Sequence, residues 1–265
     1  MKLAVIMPVN RIDSYLLDSL ESLKNQTFKE FDLIIVCSSD IVERLSAIML
    51  KVCDKLTYKI VSTRLNGLAF ALNLGISEVE ATYIARWDSD DLCEPNRFKR
   101  QIEELDKNDN LAIIGTRVKI IGPNGDEDRF RFIKFYSDNK AIRRALKYRH
   151  PLVHPSLMFR ASVIFQNSGY LYGHTSEDHE LFIRIARDPE VEFMNITDVV
   201  TYYRKHPAQL SDIKNIKKNF CEISGFMFTE FLYTGNPLYI LGMLVNLPLF
   251  RRGRHTYRKI LSSIY

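Results

Sequence analysis

Three aspartates within four residues, Asp88, Asp90 and Asp91, stand in the stretch Ile84-Ala85-Arg86-Trp87-Asp88-Ser89-Asp90-Asp91. They directly follow Thr82-Tyr83-Ile84-Ala85, which reads as a buried strand. Carboxylates this close repel one another and call for a cation. In an extended loop residues i and i+2 point the same way, so Asp88 and Asp90 can face one ion. Oxygen-only ligands suit Mg²⁺ or Mn²⁺, which shares its coordination with substrate phosphates. The plain alternative is a solvated loop in which Ser89 or Asp91 caps the next helix. A second acidic pair, Glu177-Asp178, follows Thr175-Ser176, either of which can cap a helix over 176–187. Acids in a first turn stabilise a helix through its dipole. Near a metal–phosphate site an ionised carboxylate could also take a proton from a hydroxyl nucleophile. The third element is Tyr202-Tyr203-Arg204-Lys205-His206-Pro207. It is either a charged loop after a strand or a source of phosphate-neutralising charge, with His206 able to complete a metal shell. His154, between Pro151 and Pro155, is open between structural and functional roles.

The elements that must position these groups alternate through the first half. Strands are expected at Leu3–Met7, Phe31–Cys37, Tyr58–Val61 and Thr82–Ala85, with one helix capped by Asp13 or Ser14 and faced by Leu16, Leu20 and Leu23, and others over 41–53, 67–76 and from Pro95. This βαβα order implies an α/β fold with a mostly parallel, doubly wound sheet. In such sheets ligands bind beyond the carboxyl ends of the strands, where the acidic loop falls. The second half is less regular. Leu111–Ile121 is β-rich and ends in the turn signal Gly122-Pro123-Asn124-Gly125, so a strand around Phe130–Phe135 is expected to pair back on it. A helix over 139–148, a short strand at Ser156–Phe159 and a helix from Ile213 follow.

The chain has 265 residues, 46% hydrophobic and 26% charged, which excludes a disordered or disulfide-stapled chain. Its net charge of +5 is unevenly spread. Residues 213–265 hold eight Lys/Arg against two acids, and the remainder is near neutral. That distribution argues against nucleic acid as a partner. The four cysteines, Cys37, Cys53, Cys93 and Cys221, have no metal-ligand spacing and read as reduced thiols of a cytoplasmic protein. The N-terminus lacks a cleavage site, and the apolar run 237–250 is too short to span a bilayer. That run precedes Arg251-Arg252-Gly253-Arg254, which suits an in-plane anchor on the inner face of a membrane. The division expected is therefore a catalytic domain over 1–212 and a helical extension over 213–265.

The pieces resemble the family 2 glycosyltransferases, of GT-A fold, from Lys2 to about Ser211. They run in order: Val5-Ile6-Met7-Pro8-Val9-Asn10, Ser19-Leu20-Glu21-Ser22-Leu23-Lys24-Asn25-Gln26-Thr27-Phe28, Asn66-Gly67-Leu68-Ala69, the acidic loop, Pro95-Asn96-Arg97-Phe98, His154-Pro155-Ser156, Glu177-Asp178 and Tyr203-Arg204-Lys205-His206. The resemblance implies an inverting, Mn²⁺- or Mg²⁺-dependent transfer of a sugar from a nucleotide-sugar donor, a UDP-sugar above all. The acceptor would be a hydroxyl of a glycan or lipid-linked precursor of a cell-surface polysaccharide. It implies donor contacts from Pro8, Val9, Asn10, Ser38, Asn66, Arg86, Asp88 and Arg204. Asp90, Asp88 and His206 would hold the metal, and Asp178 beside Glu177 would be the base. Where the family usually has Asp-Asp-Gly-Ser after the second strand, this chain has Cys37-Ser38-Ser39-Asp40. Two competing classes stand beside this reading. A sugar nucleotidyltransferase would want a glycine-rich loop after the first strand, and Pro8-Val9-Asn10-Arg11 has none. A basic membrane or nucleic-acid adaptor would want positive charge across the body.

Overall fold

Strand β1 (Leu3–Val9) is apolar on both faces and lies at the centre of the parallel half of the sheet. Leu3, Val5 and Met7 enter one core, and Ala4 and Ile6 enter the other. Strands β2 (Phe31–Ser38) and β4 (Tyr83–Arg86) flank it in parallel, and β3 (Thr57–Thr63) pairs with β2. Helices α1 (Ser14–Lys24), α2 (Val42–Val52) and α3 (Leu68–Ile76) are the crossovers. The computed structural model describes residues 1–52, 56–126, 134–173, 175–206 and 216–249. Asp13 caps α1, accepting from the backbone N–H of Tyr15 and Leu16.

Beyond β4 the sheet becomes mixed. After the short β5 (Leu92–Cys93) come α4 (Arg97–Lys107) and β6 (Leu111–Ile121), then α5 (Asn139–Leu146). A 3₁₀ turn at His154–Ser156 leads into β7 (Met158–Arg160), followed by α6 (Ala161–Gln166), α7 (Glu177–Ile185) and β8 (Glu192–Arg204). The strand order is β3-β2-β1-β4-β7-β6-β8-β5. β7 is antiparallel to both β4 and β6, while β8 runs parallel to β6 along its length. Most of the return strand expected near Phe130–Phe135 falls on residues 127–133, outside the described residues; Lys134 and Phe135 are not in a strand. The neighbours of β6 come from much later in the chain, a long-range pairing that local pattern does not reveal.

Helices α8 (Ile216–Thr234) and α9 (Pro237–Val245) close the described chain. Ile223 and Met227 of α8 and Tyr239 of α9 belong to the same apolar cluster as Leu181 and Phe182 of α7. The division expected at 212/213 lies outside the described residues. The helices that follow it pack on the body. Leu232, Tyr233, Leu241, Leu244 and Leu249 remain exposed. No helix among the described residues is long and apolar enough to cross a membrane.

Candidate active site

The carboxyl edge of the parallel strands gathers most of the predicted residues. Pro8 and Val9 end β1 beside Val36 and Cys37, with Asn10 exposed just beyond. Ser38 ends β2 and donates to Asp40, and Asn66 is exposed in the loop between β3 and α3. Arg86 ends β4 and leads into the acidic segment.

That segment is a tight turn and not an extended loop. The N–H of Asp91 lies 3.3 Å from the carbonyl of Asp88, and ligand atoms of Asp88, Asp90 and Asp91 all fall within 4.8 Å of one another. The turn, and not the alternation of a strand, thus brings the carboxylates together. Asp91 does not cap a helix: its Oδ1 accepts the backbone N–H of Arg204 at 2.9 Å. Burial and the charges of Asp88 and Asp90 hold the Asp91 pKa well above the usual carboxylate range. Burial and Asp90 raise Asp88 as well, against the pull of the Arg86 guanidinium paired with it. Uncompensated repulsion of this kind is what a divalent cation relieves, so the donor set fits Mg²⁺ or Mn²⁺.

Residues from distant elements lock this turn. Ser19 of α1 accepts the Trp87 indole N–H at 2.7 Å and donates to the carbonyl of Asp88 at 3.1 Å. Gln26 donates to the carbonyl of Glu94 at 2.8 Å and accepts the N–H of Phe98 at 3.1 Å. The buried Arg97 donates to the carbonyl of Arg86 at 3.1 Å and lies over the Trp87 ring. The Arg204 guanidinium is buried, donates to the carbonyls of Asp90 and Pro123, and pairs with Asp18 at 3.2 Å. His206 Nε2 lies 2.8 Å from Asp90 Oδ2, and its ring packs on Tyr15. Of the third predicted element, Arg204 and His206 therefore both reach the acidic turn. The roles of Ser19, Gln26 and Arg97 are not legible from residue type, since a serine, a glutamine and an arginine ordinarily face solvent.

Glu177 and Asp178 open α7. The charge of Glu177 acts on Arg86 and that of Asp178 on Asp88, so the two acidic groups share one electrostatic site. Burial, then the charge of Asp178, raises the Glu177 pKa to about 7. Burial also opposes ionisation of Asp178, but the facing His150 more than offsets it and holds this carboxyl below the usual range. His150 Nε2 is 2.9 Å from Asp178 Oδ2, and His154 Nδ1 is 3.8 Å away. The α7 N-terminus is clamped by α8. Glu222 accepts from the N–H and hydroxyl of Thr175, each at 2.9 Å, and Asn219 donates to the carbonyl of Thr175 at 3.0 Å. Neither His150 nor this clamp carried a sequence signal, because each partner pair joins elements whose packing only the fold reveals.

A family model described as Glycosyl transferase family 2 matches residues 4–166. This chain is a family 2 glycosyltransferase. The transferase is 34% identical over 239 residues to an Escherichia coli O-antigen biosynthesis glycosyltransferase, WbnJ, covering 87% of this chain and 89% of that one. It is 27% identical over 187 residues to an Escherichia coli UDP-Gal:alpha-D-GlcNAc-diphosphoundecaprenol beta-1,3-galactosyltransferase, covering 69% and 67%. Among solved structures, S. aureus TarS 1-349 in complex with UDP-GlcNAc aligns with a TM-score of 0.62 at 18% identity, over 84% of this chain and 66% of that one. A mannosyltransferase from Pyrobaculum calidifontis in complex with GDP-Man and Mn²⁺ aligns at 0.63 and 13% identity, over the whole of this chain and 81% of the other. At those identities the structural likeness establishes the GT-A fold, with its mixed sheet flanked by helices.

Proposed function

We propose that this glycosyltransferase moves a hexosyl unit from a UDP-sugar to a hydroxyl of a glycan or lipid-linked acceptor during cell-surface polysaccharide synthesis, with inversion at the anomeric carbon. The observation that carries the reading is the meeting of two acidic groups at one sheet edge: the Asp88–Asp91 turn and the Glu177-Asp178 helix start. The name of the Escherichia coli O-antigen relative supports the polysaccharide assignment, and the complexes with UDP-GlcNAc and GDP-Man support a nucleotide-sugar donor.

Asp90, Asp88 and His206 would hold Mn²⁺ or Mg²⁺, which supplies positive charge against a leaving diphosphate. Pro8, Val9, Asn10, Ser38 and Asn66 would line the nucleoside side of the donor cleft. Arg86 and Arg204 place two buried guanidinium groups at the acidic turn, which together with a bound cation would offset the charge of a diphosphate. Asp178 accepts the acceptor hydroxyl proton as that oxygen attacks the anomeric carbon and the diphosphate departs from the opposite face. No covalent intermediate is required, so no nucleophilic Ser or Cys is called on. The exposed leucines of α8, α9 and the following turn, with the arginines after them in sequence, would rest on an anionic bilayer. Liposome co-sedimentation of R251E/R252E/R254E should fall below that of the wild type, and equal partitioning removes the membrane from the proposal.

The test is a panel of UDP- and GDP-sugars with Mn²⁺, read by nucleoside diphosphate release and by thermal shift. Asp178→Asn should abolish transfer and keep donor binding. Asp90→Ala should lose metal-dependent donor binding. Normal transfer by the first variant, or unchanged metal dependence in the second, overturns the corresponding assignment.

A further inference from the structure

The segment between α5 and β7 holds a histidine that the proposed reaction has not used. His150 Nε2 stands 2.9 Å from Asp178 Oδ2, while the other oxygen of Asp178 accepts the N–H of His179 at 2.8 Å. One carboxylate oxygen is thus hydrogen-bonded to the backbone, and the other faces the imidazole at ion-pair distance. The His150 ring meets Phe182 edge-on at 5.6 Å and His179 at 5.1 Å, which hinders its turning away. The two neighbouring histidines are engaged elsewhere. His179 Nε2 lies 2.8 Å from the carbonyl of Leu146, and His154 Nε2 lies 2.7 Å from the Tyr170 hydroxyl.

We propose that His150 is the positioning residue of the Asp178 base: it stands against the carboxylate and fixes its orientation. The proposal rests on the assignment of Asp178 as the base. The need for such a partner follows from the surroundings. Asp178 faces Glu177 on its own helix and the charge of Asp88 from the loop after β4, both of which disfavour a further negative charge. Arg86 is already paired with Asp88. Burial lowers the pKa of His154 and of His179 to about 3, so neither carries charge near neutrality. For His150, burial acts in the same direction, but the Asp178 carboxylate outweighs it and raises the pKa above the ordinary 6.5. Of the three rings near Asp178, His150 alone combines the closest approach with a pKa that its surroundings raise instead of lower.

The experiment uses the full chain in two arms. The first is an imidazole ¹⁵N NMR titration without substrate, with His150→Gln to assign the signal. His150 should titrate above about 6.5, and in Asp178→Asn its midpoint should fall by about one pH unit or more. A midpoint that does not move refutes the pair. The second arm measures UDP release with Mn²⁺ from UDP-Glc, UDP-Gal and UDP-GlcNAc. His150→Phe should lower kcat about tenfold or more with donor KM little changed, and His150→Gln, which keeps a donor, should recover part of the loss. In His150→Gln the acid limb of kcat/KM should move to higher pH, since the largest influence opposing burial of the Asp178 charge is then lost. Wild-type kcat in His150→Phe overturns the proposal. Normal turnover by Asp178→Asn, with the NMR coupling intact, would instead mean that the base has been misassigned.

Discussion

Replacing Glu177 by Gln should stabilise the donor-free protein, and the gain should depend on pH in a specified way. Glu177 is 5% exposed, and burial with the Asp178 charge raises its pKa from 4.5 to about 7. A raised acid pKa means that the folded state prefers the protonated form. Below pH 4.5 both states are protonated and nothing is lost. Between 4.5 and 7 the unfolded chain releases the proton and the folded one retains it, so stability falls as pH rises. Above 7 both are ionised and the cost is constant. Linkage gives a deficit of roughly 1 kcal/mol at pH 5 and roughly 3 kcal/mol at pH 8. Gln keeps the shape of the neutral acid and does not titrate. Urea unfolding of both proteins in EDTA, from pH 5 to 8, should therefore show the E177Q advantage widening by about 2 kcal/mol. A constant difference across that range would refute the buried, proton-retaining state of Glu177.

Two further substitutions test the frame around the site. Gly115 of β6 faces Asn195 of β8, and a Cβ there would run into the Asn195 side-chain oxygen and come within 2.9 Å of Leu157 Cδ2. Gly115→Ala should cost about 1–3 kcal/mol in a denaturation series, and an unchanged midpoint would mean that these strands yield easily. Met227 is fully buried between α8 and the body, so Met227→Ala should cost about 2–5 kcal/mol by the same measurement. A much smaller loss would show that α8 contributes little to the core.

The parallel half of the fold was legible because each strand is a continuous apolar run and each helix carries its own apolar stripe. The acidic cluster was legible for a similar reason: Asp88, Asp90 and Asp91 are adjacent, and three charges after a buried strand are conspicuous. What escaped notice lies in pairings across the chain. Asp91 looked like a cap because its partner, the Arg204 N–H, comes from β8. His150 and Asp178 belong to different elements with no shared pattern, and the Glu222–Thr175 contact joins α8 to a loop before α7. Ser19 and Gln26 stand in a segment that carries the family resemblance, and only the fold gives them a physical task at the acidic turn. Within the helical extension expected over 213–265, Ile223 and Met227 share an apolar cluster with Leu181 and Phe182 of α7, a contact that charge alone does not announce.

The bond from the Arg204 N–H to Asp91 spans 113 residues of sequence, and the contact of His206 with Asp90 spans 116. Contacts of such long range form late, after much of the chain's entropy has been spent. During synthesis the three aspartates leave the ribosome well before the strand that shapes them. A nascent chain ending short of β8 thus carries the acidic residues without the brace that sets their geometry, and it should not capture metal or nucleotide before folding is nearly complete. Metal titration of such a chain against the full-length protein would check this order of events.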